Sequence, residues 1–450
     1  MNPEMFREYD IRGIAGEDMS EEDVVLIGRG VGTFLRQNGC VELTVGRDCR
    51  VTSDRYSDRL IQGLMATGCR VTDIGVCPTP VLYFSIHHLS RDGGVMVTAS
   101  HNPAKYNGFK LCMGSDSIHG RDIQKILTII KDGAFVEGQG TLDRADVVTP
   151  YKAFIVQNIN LTRPLRVGVD AGNGTAGVVA VPIMKKLNCR VHDIFCEMDG
   201  TFPNHEADPT VLANMQDLIA LVKKEKLDLG IGYDGDGDRI GVVDEKGRII
   251  YGDRLMILFA REILTRKPGA TFISEVKCSK ILYDDIEKHG GRAIMWKTGH
   301  ALIKQKMKME KAELAGEMSG HMFFADRYFG YDDAAYASCR LLELVAASEK
   351  PLSELLTDLP ETFTTPEIRV DCPDDEKFEL VEKTTEYFRR YNDVIDIDGV
   401  RVLFDDGWGL VRASNTQPAL VLRFEATSPE RLEEIRDLVE SVLEKFRKGA

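Results

Sequence analysis

Strand-length apolar runs and stretches of helical spacing alternate along most of this chain. The runs fall at residues 43–46, 71–74, 93–97, 165–170, 227–233, 240–243, 271–278 and 312–315, and helical patterns occupy 21–38, 53–68 and 212–225 among others. This rhythm predicts α/β units with mixed, mostly parallel sheets and right-handed crossovers. From about Pro366 the pattern changes: strands near 400–404, 408–412 and 419–425 precede a closing helix at 429–447, which predicts a smaller α+β unit. In that helix Leu432, Ile435, Leu438, Val439, Val442 and Leu443 recur at helical spacing and are expected to face a core.

A chain of 450 residues is too long for one compact core, and about three or four domains are expected. Each of the first three units offers an early and a later strand-loop. We therefore expect three similar α/β-sandwich domains at 1–149, 150–252 and 253–365, then an α+β domain at 366–450. No run of about 18 apolar residues and no basic-apolar leader is present, so a cytoplasmic location is expected. Asp and Glu outnumber Lys and Arg by 71 to 57, for a formal charge of -14. Such a molecule repels nucleic acid and acidic lipid, and any anionic ligand needs a local basic site. The ten cysteines are scattered without a C-x-x-C pair, which suits reduced thiols in cores better than zinc or a disulfide framework. A monomer and a dimer are both compatible with the sequence.

Candidate chemistry sits where strands end. Gly93 to Val97 runs into Thr98-Ala99-Ser100-His101-Asn102-Pro103, a polar loop presenting one serine, and ligands of open α/β sheets bind beyond the carboxyl ends of strands. Read alone, Ser-His-Asn-Pro is a turn. A second loop, Asp234-Gly235-Asp236-Gly237-Asp238-Arg239, lies between two predicted strands. Its alternating carboxylates can converge on one hard cation, with Mg²⁺ the expected ion, and they repel one another without it. With Glu245 the three aspartates also fit EF-hand spacing, but Arg239 stands where that turn needs glycine. A third loop, Arg412-Ala413-Ser414-Asn415-Thr416-Gln417-Pro418, can grip a phosphate through a forked guanidinium, hydroxyls and backbone N–H groups. In Gly316-Glu317-Met318-Ser319-Gly320-His321, alternate positions could put Glu317, Ser319 and His321 on one side of an extended loop.

Two glycine-rich stretches look nucleotide-like. Gly28-Arg29-Gly30-Val31-Gly32 lies inside the first predicted helix with no strand leading into it, and is read as packing. Gly172-Asn173-Gly174-Thr175-Ala176-Gly177 follows a strand and satisfies G-x-G-x-x-G, with Glu197 at ribose-acid spacing. An NAD(P)-binding dehydrogenase is therefore the main rival reading, although Asp170 would face the pyrophosphate and the other three loops would have no role. A non-catalytic sugar-phosphate binder could use the same loops.

The serine, aspartate and phosphate loops together resemble those of the α-D-phosphohexomutase family, and the likeness runs nearly end to end. It is nearest to the bacterial phosphomannomutase/phosphoglucomutase branch. The opening Phe6-Arg7-Glu8-Tyr9-Asp10-Ile11-Arg12-Gly13 matches that branch's first motif. The resemblance implies a phosphoserine at Ser100, flanked by His101, that passes its phosphoryl group to a hexose phosphate. A hexose 1,6-bisphosphate then turns over in a central cleft before its other phosphate returns to the serine. It further implies Mg²⁺ on Ser100, Asp234, Asp236 and Asp238 beside Arg239, with Glu317 and Ser319 on the hexose. Tyr9, Lys277 and His300 would line the cleft, Arg412, Ser414, Asn415 and Thr416 would hold the non-reacting phosphate, and Arg12, Lys110 and His321 would serve proton transfer and charge stabilisation. Phosphoglucosamine mutases tend to carry glutamine where this chain has Met318, which favours mannose and glucose phosphates over glucosamine phosphate.

Overall fold

The computed structural model describes residues 1–415 and 417–447. Four sheets succeed one another along the chain. The first runs in the order Ile11–Ile14, Tyr106–Met113, Gly93–Val97, Glu42–Arg47, Arg70–Val76, Thr141–Arg144. The second is ordered Ile249–Ile250, Ile240–Asp244, Leu229–Tyr233, Arg166–Asp170, Arg190–Ile194. The third is ordered Arg292–Trp296, Thr271–Glu275, Leu314–Gly316, Met322–Phe324. The last sheet is antiparallel, with Ala419–Ala426 and Gly407–Ala413 at its centre and the helices Lys377–Phe388 and Pro429–Arg447 packed on it.

The first three sheets share one device. Gly93–Val97 is parallel to Glu42–Arg47 and antiparallel to Tyr106–Met113. Leu229–Tyr233 is parallel to Arg166–Asp170 and antiparallel to Ile240–Asp244. Leu314–Gly316 is parallel to Thr271–Glu275 and antiparallel to Met322–Phe324. The loops carrying Ser100, the aspartates and Glu317 are thus the same hairpin in three successive units, each at the carboxyl end of a parallel strand. The sheets are mixed because each such loop reverses direction.

The first-helix glycines serve packing: a Cβ on Gly28 would lie 2.4 Å from the Leu60 carbonyl oxygen. In the closing helix Leu432, Ile435, Val439, Val442 and Leu443 are buried. Leu438 is not; it is 43% exposed, because the apolar stripe is narrower than the spacing suggested. The pattern expected as one helix over 212–225 is a short 3₁₀ turn, Leu212–Met215, followed by the helix Gln216–Glu225. Strand Thr141–Arg144 was not foreseen, and every residue in it is exposed. All ten cysteines are free, and all but Cys49 and Cys196 are buried. Among the described residues no helix is long and apolar enough to cross a membrane.

Candidate active site

Ser100 has φ +52°, in the left-handed region that costs a non-glycine residue energy and persists only where its surroundings enforce it. Buried Arg50 does much of the enforcing. Its guanidinium donates to the carbonyl oxygens of Ser100 (2.8 Å), Asn102 (2.5 Å), Pro103 (2.8 Å) and Tyr106 (3.1 Å), while Nε donates to Asp48 at 3.1 Å. The Ser100 N–H donates to Thr98 Oγ1 at 2.9 Å. The hydroxyl then points into the neighbouring unit, donating to Asp234 Oδ2 at 2.9 Å, with His101 Nδ1 3.3 Å away.

The aspartate loop is folded against this serine so closely that a Cβ on Gly235 would lie 2.5 Å from the Ser100 carbonyl oxygen. Asp234, Asp236 and Asp238 have no solvent exposure, and one ligand atom from each lies within 4.8 Å of the others. Asp234 Oδ1 accepts the N–H groups of Asp238 and Arg239, both at 3.0 Å. Lys110 Nζ donates to Asp236 at 2.6 Å and Asp238 at 2.5 Å, and the Thr79 hydroxyl donates to Asp236 at 2.5 Å. Burial, and then the other two carboxylates, push the Asp234 carboxyl well above its usual range. Burial disfavours the Lys110 ammonium, yet Asp236 and Asp238 outweigh it and hold the lysine charged. Such a lysine is suited to stabilising charge rather than accepting a proton. Among the described residues no hydrogen-bond donor reaches the buried Asp236 Oδ1 and Asp238 Oδ1. Crowded carboxylate oxygens with open lone pairs fit a hard divalent cation.

The G-x-G-x-x-G stretch lies beneath this loop, with Gly174 and Gly177 packed directly on backbone. A Cβ on Gly174 would meet the Gly235 carbonyl oxygen at 2.6 Å, and one on Gly177 would meet that of Cys196 at 2.4 Å. Asp170 is engaged by Gly172 N–H (2.9 Å) and His205 Nε2 (3.1 Å). The glycines let the second unit press the aspartate loop toward Ser100, and the dinucleotide reading has no support here.

The segment Glu317 to His321 is a tight turn, not the extended loop expected from its alternation. Gly320 N–H donates to the Glu317 carbonyl and Glu317 N–H to that of His321, each at 3.0 Å. Glu317 and Ser319 stay together (3.5 Å), and Glu317 accepts the Gly299 N–H at 2.8 Å. His321 instead meets Arg239, whose Nε lies 3.0 Å from its Nε2. Arg Nε–H can only donate, so His321 Nε2 accepts and the ring proton is assigned to Nδ1. That nitrogen faces Asp332 at 3.1 Å and Asp238 at 3.7 Å. Asp332 also gathers Lys304 (3.3 Å) and His300 (3.8 Å). Burial opposes its charge, but Lys304 and the two imidazoles hold its carboxyl well below the usual range. Burial, aided by nearby cations, pushes His101 and His300 well below theirs, leaving both neutral.

Tyr9 joins the first unit to the third and fourth. Its hydroxyl donates to the Thr298 carbonyl at 2.8 Å and accepts from Asn415 Nδ2 at 2.8 Å, and its ring centroid is 6.0 Å from that of His300. Arg12 donates to Asn102 at 2.7 Å and pairs with Asp10 at 2.5 Å. Arg412 is buried against Asp398 (3.1 Å), which also accepts the Thr298 N–H at 3.0 Å, and Lys277 is buried between Glu367 (3.0 Å) and Glu275 (3.6 Å). Ser414 Oγ accepts the Gln417 N–H at 3.2 Å. Thr416 lies outside the described residues. Sequence reasoning missed Arg50, Thr79, Glu275, Lys304, Asp332, Glu367 and Asp398, none of which stands in a recognisable motif.

Three α/β hairpins and one α+β loop that bring a serine, a buried carboxylate trio and paired cations together define an enzyme that handles phosphorylated substrates. Comparison with known proteins narrows the class. Residues 3–137, 149–247 and 251–363 match phosphoglucomutase/phosphomannomutase α/β/α domains I, II and III, and 367–442 match the C-terminal domain of the same proteins. The chain belongs to the phosphoglucomutase/phosphomannomutase family, and it is a phosphohexomutase of the isomerase class. It is 45% identical over 444 residues to a phosphomannomutase/phosphoglucomutase of Pseudomonas putida, covering 98% of this chain and 95% of that protein. It is 43% identical over 448 residues to a phosphoglucomutase of Neisseria meningitidis, covering 98% and 97%. The crystal structure of a phosphoglucomutase/phosphomannomutase family protein from Burkholderia thailandensis superposes with a TM-score of 0.94 at 42% identity, covering 100% of this chain and 99% of that one.

Proposed function

We propose that this enzyme reversibly interconverts the 1- and 6-phosphates of mannose and glucose by way of phospho-Ser100 and a hexose 1,6-bisphosphate. The observation that carries the reading is Ser100 itself, held at φ +52° with its hydroxyl 2.9 Å from Asp234 inside a buried acidic trio. A phosphorylated serine is tolerable there only with a cation. Mg²⁺ on Asp234, Asp236, Asp238 and the Ser100 phosphate would supply neutralisation of the charge on the transferring group.

In the forward half-reaction the bond from phosphorus to Ser100 Oγ breaks, a bond to a hexose hydroxyl forms, the hydroxyl proton passes to a base, and the departing Oγ takes up a proton from the cleft to regain the hydroxyl that donates to Asp234. His321 fits that role: once Arg239 turns to the substrate, its Nε2 lone pair is open while Asp332 keeps the Nδ1 proton. Lys110, Arg12 and Arg239 stabilise the phosphoryl oxygens, and His101 borders the serine. Glu317 and Ser319 hold sugar hydroxyls, and Arg412 with Ser414, Asn415, Thr416, Lys277 and His300 holds the phosphate that is not reacting. The bisphosphate reorients in the cleft and returns its other phosphate to Ser100, so the fourth domain must move without releasing it. We place the domain limits at 149/150, 252/253 and 365/366, and the enzyme in the cytoplasm as a monomer or dimer that acts on small hexose phosphates.

The test is turnover of mannose 1-phosphate and glucose 1-phosphate side by side, with Mg²⁺ and a trace of glucose 1,6-bisphosphate, in wild type and Ser100→Ala. Comparable kcat/KM values for both sugars and a silent variant are expected. Near-normal activity in Ser100→Ala would end the phosphoserine reading, and activity on one sugar alone would narrow the substrate.

A further inference from the structure

We infer that Lys377 is a positioning residue for the phosphate-gripping loop, an inference that rests on the reading of residues 412–417 given above. Lys377 opens the helix Lys377–Phe388 and is only 4% exposed, a rare state for lysine unless it is paired. Its ammonium donates to the carbonyl oxygens of Ser414 at 2.6 Å and Gln417 at 3.1 Å, and is paired with Asp374. It therefore grips the loop at both ends, with Asn415 of the Tyr9 contact lying between the two grips.

The rear of this loop borders open space, although the Gln417 carbonyl also accepts the Ala419 N–H at 2.9 Å. A cavity of about 980 Å³ lies there, lined by Arg7, Asp374, Lys377, Phe378 and Asn415 among others. Arg7 of the first unit is 3.9 Å from Asp374 across this seam. Carbonyl oxygens that lose a charged donor in such a setting are freer to turn toward the cleft, where their partial negative charge would oppose a phosphate. Drawing both carbonyls rearward keeps them from the anion and fixes the backbone from which Ser414 and Asn415 project.

The experiment compares wild type with Lys377→Met and Lys377→Arg in the full-length enzyme. It measures the Kd of glucose 6-phosphate by titration calorimetry, kcat and KM for glucose 1-phosphate, and the unfolding temperature. In Lys377→Met we expect Kd and KM to rise about tenfold, equivalent to about 1.4 kcal/mol of binding, while kcat changes less. Lys377→Arg should recover most of the loss, since a guanidinium can also bridge two carbonyls. A folded Lys377→Met enzyme with unchanged Kd and KM overturns the proposal, even if its unfolding temperature falls, because that outcome marks a structural brace only. If Lys377→Met does not fold, Lys377→Gln is judged by the same Kd criterion, its amide being able to satisfy one carbonyl. Wild type that binds glucose 6-phosphate without turning over hexose phosphates would sink the mutase reading and leave the Kd comparison to decide on Lys377. Wild type that binds no hexose phosphate overturns both.

Discussion

Asp333 adjoins Asp332 in the chain but answers to different neighbours. It accepts from the hydroxyls of Tyr151 (2.9 Å) and Tyr328 (2.6 Å) and caps the helix Ala334–Ala347 through the Tyr336 N–H (2.8 Å). Burial raises its carboxyl to about 7. The folded chain thus keeps a proton that the unfolded chain releases near its ordinary value of about 4. The linked stability is fully present below that value and is lost as pH rises through about 7, with a slope of up to about 1.4 kcal/mol per pH unit. The unfolding temperature should therefore fall between pH 5 and 8 more steeply in wild type than in Asp333→Asn; equal slopes would show that this carboxyl does not titrate in that window. At this scale the sequence was legible where chemistry clusters in loops, as at Ser100 and the three aspartates. It was silent on the buried partners, since nothing local marks Arg50 as holder of four carbonyls or Asp332 as the common anchor of His300 and His321. Those roles depend on contacts across the fold, not on spacing.

The working elements are three hairpins, and their contact depends on backbones meeting where a side chain would intrude. Gly235 is the case nearest the reacting serine, because the atom its Cβ would meet at 2.5 Å is the Ser100 carbonyl oxygen, a backbone atom already fixed by Arg50. Gly235→Ala should leave the fold intact, as the loop can lift away, but separate the serine from the carboxylates. A displacement of about 1 Å at a reacting centre can cost about 100-fold in rate. We expect kcat to drop on that order with circular dichroism unchanged; wild-type kcat would mean that the loops tolerate the gap. The elements that escaped sequence reading did so for different reasons. Thr141–Arg144 is exposed at every position and is a strand because the edge Arg70–Val76 supplies hydrogen bonds, not because apolar residues alternate along it. Ile368–Asp371 does alternate, with Ile368 and Val370 turned to the core, but four residues are too short a run to stand out.

Over the whole molecule the site exists only because four units meet, and the joints differ in kind. The fourth unit is seated on the third by buried cations: Arg401 donates to the carbonyls of Val276 and Cys278, both at 2.7 Å, and Arg423 to that of Lys277. Between the first and fourth units the contacts are lighter, the Tyr9–Asn415 hydrogen bond and the long Arg7–Asp374 pair. A fourth unit that moves to admit and turn a bisphosphate would break the lighter joint and keep the heavier. The Tyr9 hydroxyl is the atom to remove, since from the first unit it touches both Thr298 of the third and Asn415 of the fourth. A net hydrogen bond contributes about 1 kcal/mol, so Tyr9→Phe should raise KM for glucose 1-phosphate roughly fivefold through weaker closure. Phosphate transfer from glucose 1,6-bisphosphate to Ser100 should survive, because no atom of the serine and aspartate loops bonds that hydroxyl. Equal losses in KM and in Ser100 phosphorylation would instead assign Tyr9 to the chemistry of the serine itself.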